Sequence, residues 1–435
     1  MPRFGFIALL ALFIGILLTS FLPITTFAGD VLLTEDQAIA LFYQRNLDLI
    51  AARYNVDAAR AQQVIAAAVP NPVLSLYSQS PNIAKIGRHG GFAGAQYDTI
   101  ARLDQLIETA GKRGLRKEGS GFATQASESD LRDALRVLSN EVRHAYYNLL
   151  LSQKVVDLAR ETLARYDDIV RTNSLRLESG DIAESDFLRV EVERFKAQGD
   201  LDQALRSLAG ARTGLAVLLA WPGDAMNFAA QDVSLKRSEV DAKQPPEAFI
   251  DQALMQRADL QAARLRVNQA EKALALARAK RIPDVTIAVQ DEACPFCYPN
   301  ADNAIGLGVS VPLPVFYRNQ GEIALAEVNL NNFNLQVQQL EQNVRAEVLG
   351  ATVAWRTADA QARRFEEDVI GRVKTVRQAA ELAYSKGATD ILDFIEAQRS
   401  YKNSVLEYQN ALYSRAVAYA DLVKVLGIEQ VPLSP

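Results

Sequence analysis

Cysteine and histidine are nearly absent from this chain, which has two of each in 435 residues. Metal centres and thiol or imidazole catalysis draw on those side chains, so neither an active site nor a resident metal cluster has much to be built from. No GxSxG, HExxH or P-loop signature occurs. No enzyme and no cofactor is expected. A surplus of positive charge is also missing: 47 basic and 52 acidic residues leave a net charge of −5, which excludes nucleic acid from the expected partners. Past the N-terminus no stretch reaches ~20 consecutive apolar residues, so the mature chain meets a membrane only with strands. Finally, proline is missing throughout 114–180 and 321–387.

Those two proline-free runs organise the chain. Gly114 to Gly180 and Gly321 to Gly387 share one spacing, 66 residues, and each predicts a helix of about 100 Å. In the first, Leu131, Leu135, Leu138, Val142, Ala145, Leu149, Ser152, Val156, Ala159, Leu163, Tyr166 and Val170 alternate steps of four and three. Only Ser152 is polar, which makes the stripe a coiled-coil seam. Val344, Val348, Ala351, Trp355, Ala358, Ala362, Phe365 and Val369 repeat the rhythm.

Arg3, an apolar run from Phe4 to Leu22, Pro23 and then Thr26-Phe27-Ala28 are expected to form a secretory signal peptide, residues 1–28, with an uncleaved membrane anchor as the alternative. Thr34 and Gln37 make a capping box that opens a helix to about Val69. Two strands, Val73 to Gln79 and Tyr97 to Gln105, precede the first long helix, and a return helix covers roughly Ile182 to Ala220. A polar linker leads to Pro245-Pro246, suited to a helix start at Glu247. The pattern then recurs. Asp48-Leu49-Ile50-Ala51-Ala52-Arg53 matches Asp259-Leu260-Gln261-Ala262-Ala263-Arg264, and Asp186-Phe187-Leu188 matches Asp393-Phe394-Ile395. The chain is thus expected to be a tandem duplication, with repeats 29–240 and 241–435. In the second repeat Val285, Ile287 and Val289, then Ile305, Leu307, Val309 and Val311, alternate with small or polar residues, as in membrane barrels. The first repeat carries this signal weakly, because Arg102 and Asp104 interrupt it.

The expected fold is mainly α with a small β part: a long coiled-coil helical barrel plus a shared transmembrane β-barrel. Four strands per chain cannot close a barrel, and open edges are not tolerated in lipid. Several copies must pool strands, and three copies would supply twelve. The resulting tube encloses a water-filled conduit.

Leu106-Ile107-Glu108-Thr109-Ala110-Gly111-Lys112-Arg113-Gly114, Pro312-Leu313-Pro314-Val315-Phe316-Tyr317-Arg318-Asn319-Gln320-Gly321 and Gly387-Ala388-Thr389-Asp390-Ile391-Leu392-Asp393 carry a family resemblance. In this order they resemble the TolC-type outer-membrane efflux proteins over essentially the whole mature chain. The Gly111 to Gly114 run is most similar to the cobalt-zinc-cadmium branch, although Thr109-Ala110 departs from that branch's pattern. The resemblance implies a homotrimeric channel set in outer-membrane lipid of a Gram-negative bacterium, its helical tube in the periplasm. It also implies two partners, a periplasmic adaptor and an inner-membrane pump of the resistance-nodulation-division type. Heavy-metal cations are the expected cargo, with drugs as the alternative. A coiled-coil periplasmic adaptor without a pore is the competing function, though it would not need two strand pairs.

The helix turns at Gly180 and Gly387 need the positive φ that glycine tolerates, and by resemblance they are where an adaptor docks. Asp390, Asp393 and Glu396 are spaced three apart on one helix face. Three chains would converge them into an acidic ring, a periplasmic gate, and the family's gate carboxylates align with Asp393 and Glu396. Asp186 and Arg189 are the first-repeat counterparts, with Arg189 placed to pair with a carboxylate in the closed tip. Cys294 and Cys297, in an exported chain, are expected to form a small loop disulfide. A composite metal site with His89 is the alternative, and His144 is a helix-surface or packed residue.

Overall fold

The computed structural model describes residues 31–79, 98–224, 227–231, 244–293 and 303–428. Residues 1–28, expected to be a signal peptide, as well as His89 and the Cys294–Cys297 pair lie outside the described residues. The chain falls into two compact units, the first comprising residues 1–42, 145–236 and 370–410, and the second 43–144, 237–369 and 411–435.

Along the chain the elements are β1 (Val31–Leu33), α1 (Glu35–Arg45), α2 (Leu47–Ala67), β2 (Val73–Gln79), β3 (Asp98–Ile107), α3 (Lys112–Glu178) and α4 (Glu184–Leu218). Next come β4 (Phe228–Ala230), α5 (Pro246–Gln256), α6 (Ala258–Ala279), β5 (Val285–Ala293), β6 (Asn303–Ser310), α7 (Gln320–Arg364), a π turn (Phe365–Val369), α8 (Ile370–Ser385) and α9 (Ile391–Leu426). No described helix is long and apolar enough to cross a membrane.

Helix α3 runs unbroken for 67 residues. Its counterpart does not: the π turn separates α7 from α8, correcting the expectation of a second continuous helix. Phe365 and Val369 keep the seam spacing, so nothing in the pattern announces the wider turn. The capping box forms as expected, Thr34 N–H donating to Gln37 Oε1 (2.9 Å) and Gln37 N–H to Thr34 Oγ1 (3.2 Å). The helix it opens is nevertheless two helices. Asn46 adopts an extended backbone and its side chain accepts from Leu49 N–H (2.9 Å), restarting the chain as α2. Arg257 makes the corresponding break between α5 and α6.

In the second unit, β2, β3, β5 and β6 form one antiparallel sheet in that order. The register sorts the residues by face. Leu74, Leu103, Val289 and Leu307 align across the four strands, as do Ser75, Arg102, Gln290 and Gly306 one residue on. One face therefore carries Leu74, Leu76, Leu103, Ile287, Val289, Ile305, Leu307 and Val309, all exposed. The opposite face carries Ser75, Gln290, Gly306 and Gly308 together with exposed Val73 and Tyr77, and there Arg102 pairs with Asp104 at 3.0 Å. The weak first hairpin thus shares the alternation of the second, and its charges lie on the polar face. Short helices pack along the long one: Phe249, Ile250 and Ala253 of α5 join Val344, Val348 and Trp355 of α7 and Leu422 of α9 in one buried cluster.

In the first unit, β1 and β4 pair in parallel, Leu33 opposite Ala230. The hydroxyl of Tyr146 donates to Leu33 O (3.0 Å) and Gln231 O (2.8 Å), and the Gln153 amide brackets Ala230. This ladder was not legible in the sequence, where Phe228 lies in the expected linker.

Helices α4 and α9 end alike. Trp221 N–H reaches back to Ala216 O with Ala220 at φ 44°, and Ile428 N–H to Val423 O with Gly427 at φ 71°. A Cβ on Gly427 would come within 3.2 Å of the backbone at Gln256 and Arg257. Ala220→Gly is therefore expected to raise stability by about 0.5–1 kcal/mol through relief of left-handed strain, and Gly427→Ala to lower it by about 2 kcal/mol. Denaturant midpoints of the two variants check both signs.

Candidate functional site: the helix-turn tips

Each long hairpin of the first unit turns on a glycine. Gly180 (φ 78°) and Gly387 (φ 70°) follow α3 and α8. Gly180 N–H donates to Leu177 O (3.0 Å) and Asp181 N–H to Arg176 O (2.8 Å), while Gly387 N–H donates to Tyr384 O (3.0 Å) and Ala388 N–H to Ala383 O (2.8 Å). This is the paired bonding of a Schellman end, which satisfies the last carbonyls of the helix. A Cβ at either glycine meets nothing within 4 Å, so the requirement there comes from backbone alone.

Under the turns lies an apolar knot of Tyr166, Val190, Ala197, Ile391, Phe394 and Ile395. Tyr384 stacks on Phe394 at 5.3 Å, donates its hydroxyl proton to buried Asn173 (2.8 Å) and is covered by Arg176. Burial pushes the Tyr166 hydroxyl up to about 12.

Asp390, Asp393 and Glu396 all fall on the exposed side of α9, opposite buried Ile391, Phe394 and Ile395. Two of them have local duties. Asp390 Oδ1 accepts from Asp393 N–H at 3.0 Å, capping the helix, and Asp393 accepts from the Thr389 hydroxyl. Arg189 pairs with Asp186 three residues away, at 3.2 Å, so within one chain the two counterparts partner each other.

A buried carboxylate escaped the sequence reading. Glu193 takes two bonds from Arg399 (Nη2–Oε1 2.6 Å, Nε–Oε2 3.1 Å) and one from Lys196 (2.7 Å), tying α4 to α9. Burial opposes its ionisation, yet the Arg399 and Lys196 cations outweigh that and hold the carboxyl below the usual range. A depressed carboxyl stabilises the fold fully above its unfolded value, about 4.3, and loses that contribution as the pH falls through the lower folded value. Glu193→Gln should therefore flatten the acid limb of a stability-versus-pH curve below about pH 4, measured by thermal melting. The pair is 206 residues apart in sequence, and only the spacing of Lys196 hinted at it. In the second unit His144 is half-buried, its Nε2 3.0 Å from Asp421 Oδ1. Among the described residues no group of three or more His, Cys, Asp or Glu is placed to hold a metal ion.

Long coiled-coil hairpins closed by glycine turns, together with an antiparallel sheet apolar on one exposed face, define a subunit of an outer-membrane conduit. The model of the family described as Outer membrane efflux protein matches residues 38–220 and 249–428. The chain belongs to that family and is an outer-membrane efflux channel component. It is similar to the cobalt-zinc-cadmium resistance protein CzcC of Cupriavidus metallidurans, 23% identical with 94% of this chain and 93% of the relative covered. It is also similar to the probable outer membrane lipoprotein SilC of Salmonella typhimurium, 24% identical over 88% and 83%. The crystal structure of the Campylobacter jejuni CmeC outer membrane channel shares the fold, with a TM-score of 0.78 at 20% identity over 90% of this chain and 85% of that one. Family membership displaces the alternative of an adaptor without a pore.

Proposed function

We propose that three copies of this chain pool their sheets into one closed barrel and their helices into one tube, forming a passive conduit for heavy-metal cations. The observation that carries this reading is the sheet. Its exposed apolar face suits lipid, its polar face suits a water-filled lumen, and its outer strands β2 and β6 each pair on one side only among the described residues. Edges of this kind find partners in lipid only by closure with other copies. Heat-modifiable trimers in detergent-extracted outer membrane are expected, and a monomer in the soluble periplasmic fraction would overturn the assembly.

The shared run of two short helices, two strands and a long helical hairpin in residues 35–218 and 246–426, with β1 and β4 in the first repeat alone, and the two separate family matches support a tandem duplication with repeats 29–240 and 241–435. Similarity to CzcC supports the metal cargo, and an inner-membrane pump with a periplasmic adaptor supplies the energy. The adaptor docks on the turns at Gly180 and Gly387. Inside the tube Asp390, Asp393 and Glu396 of three chains form the gate, with Asp186 and Arg189 beside it. The Glu396 side chain makes no hydrogen bond among the described residues and feels only the nearby charge of Arg399, which leaves its carboxylate available to a neighbouring subunit. Replacing Asp393 and Glu396 with Ala is expected to raise single-channel conductance several-fold. Asp393→Asn with Glu396→Gln should do the same while keeping the acceptor for Thr389, and unchanged conductance in both would remove these carboxylates from the gate.

A further inference from the structure

Where β6 gives way to α7, the chain displays apolar side chains that none of the described residues covers. Phe316 is 97% exposed, and Leu313 and Val315 beside it are also exposed. The loop is pinned. Tyr317 donates its hydroxyl proton to Glu322 and accepts from Gly321 N–H (3.1 Å), Val315 N–H donates to Leu313 O (2.8 Å), and the Asn319 amide donates to Ala277 O (2.7 Å). Phe316 is thus presented by a braced loop.

Next to it opens a cleft of about 490 Å³ lined by Arg281, Arg318, Phe316, Ile323, Ala324 and Glu327. Glu327 is already matched to Arg278 at 2.8 Å. Arg281 and Arg318 make no side-chain hydrogen bond or ion pair among the described residues. The other strand-to-helix junction differs: there Lys112 is bound to Asp284 at 2.7 Å, Arg116 to Glu108 and Arg113 to the Ala67 carbonyl (2.7 Å), so all three cations have partners within the chain, and the junction exposes no aromatic residue. Two unmatched guanidinium groups, beside an exposed phenyl ring and at the end of strands whose outer face is apolar, suit one kind of ligand: an anionic head joined to a hydrocarbon tail. Guanidinium groups bind phosphate oxygens strongly, and aromatic rings settle where a bilayer meets water.

We propose that this cleft seats the phosphate of a glycerophospholipid from the periplasm-facing leaflet of the outer membrane, with Leu313, Val315 and Phe316 entering its acyl region. The inference rests on the outer-membrane barrel proposed above. A free phosphate ion would use the two arginines and leave the apolar residues without a purpose. A single phospholipid per cleft instead fixes the depth at which the strands end.

The test uses the full-length protein reconstituted into phosphatidylglycerol and phosphatidylcholine vesicles with brominated acyl chains. Phe316→Trp adds a fluorophore to the native Trp221 and Trp355, whose emission is subtracted using the unsubstituted protein. Leu307→Trp, on the apolar face of β6, reports whether the sheet itself is in lipid. Strong quenching of both added tryptophans is expected. Quenching of Leu307→Trp alone would overturn the proposal and leave the barrel standing, and quenching of neither would overturn both. In a second arm, native mass spectrometry should show retained phosphatidylglycerol reduced several-fold by Arg281→Gln with Arg318→Gln. Equal retention, or displacement of the lipid by millimolar inorganic phosphate, would show that the cleft is not a phospholipid site.

Discussion

Phe394→Ala is expected to lower the stability of the helix-turn tip by about 3–5 kcal/mol, the usual cost of deleting a fully buried phenyl ring. Phe394 is 1% exposed, and its knot draws on three helices: Tyr166 on α3, Val190 and Ala197 on α4, Ile391 and Ile395 on its own α9. Removing the ring also takes away the face on which Tyr384 stacks, and with it the support for the Tyr384–Asn173 bond. Little else is placed to refill the space, because Asp393 and Glu396 on either side face water and cannot turn inward without losing hydration. Hydrogen exchange should therefore quicken in 163–200 and 384–400, with residues 31–33 and 228–230 unaffected. Phe394→Leu, which keeps most of the volume, should cost under about 1.5 kcal/mol. Protection unchanged in Phe394→Ala would mean that the polar ties, Glu193 with Arg399 above all, hold the tip without the knot.

The second large effect lies at the break between α5 and α6. The Arg257 side chain is 4% exposed. Its guanidinium donates to both oxygens of Asp259 (3.1 and 2.6 Å) and to Glu347 (2.5 Å), while Arg136 stands 3.9 Å from Asp259. Burial opposes the charge on Asp259, but Arg257 and Arg136 hold its carboxyl below the ordinary range. Asp259→Ala would leave the buried Arg257 with only the half-exposed Glu347 to balance it, while Arg136 keeps its pair with Asp133 (2.6 Å). A loss of about 3 kcal/mol is expected, near the lower end for a broken buried pair because Glu347 remains. Arg257→Met should cost less than Asp259→Ala, since it removes the buried charge instead of stranding it. The contrast is read from denaturant midpoints, and equal losses would mean that packing rather than charge dominates.

These sites show what a sequence discloses and what it withholds. Gly180 and Gly387 were legible because a left-handed turn needs a residue without a Cβ, and the strands because alternation has a period of two. The Thr34–Gln37 box was legible for the same reason, since both partners lie within one turn. Asn46 was a cap in plain sight, but the apolar rhythm runs through it and outweighed the residue type. Arg257, its counterpart, carries no helix-stop signal at all. Pairings such as Leu33 with Ala230 or Glu193 with Arg399 depend on which distant segments meet, and no local pattern encodes that choice. The carboxylates proposed for the gate sit between these cases: their shared face follows from spacing, but Asp390 and Asp393 also bond locally at the start of a helix, a role their spacing equally allows.

The one-sided pairing of β2 and β6 has a genetic consequence. If closure needs both edges of every copy, a subunit with one blocked edge does more than fail alone, because each assembly that admits it loses two good partners. Such an allele, for example a proline placed within β6, should be dominant, depressing efflux in a cell that still carries the intact gene. A null allele of the same gene should be recessive.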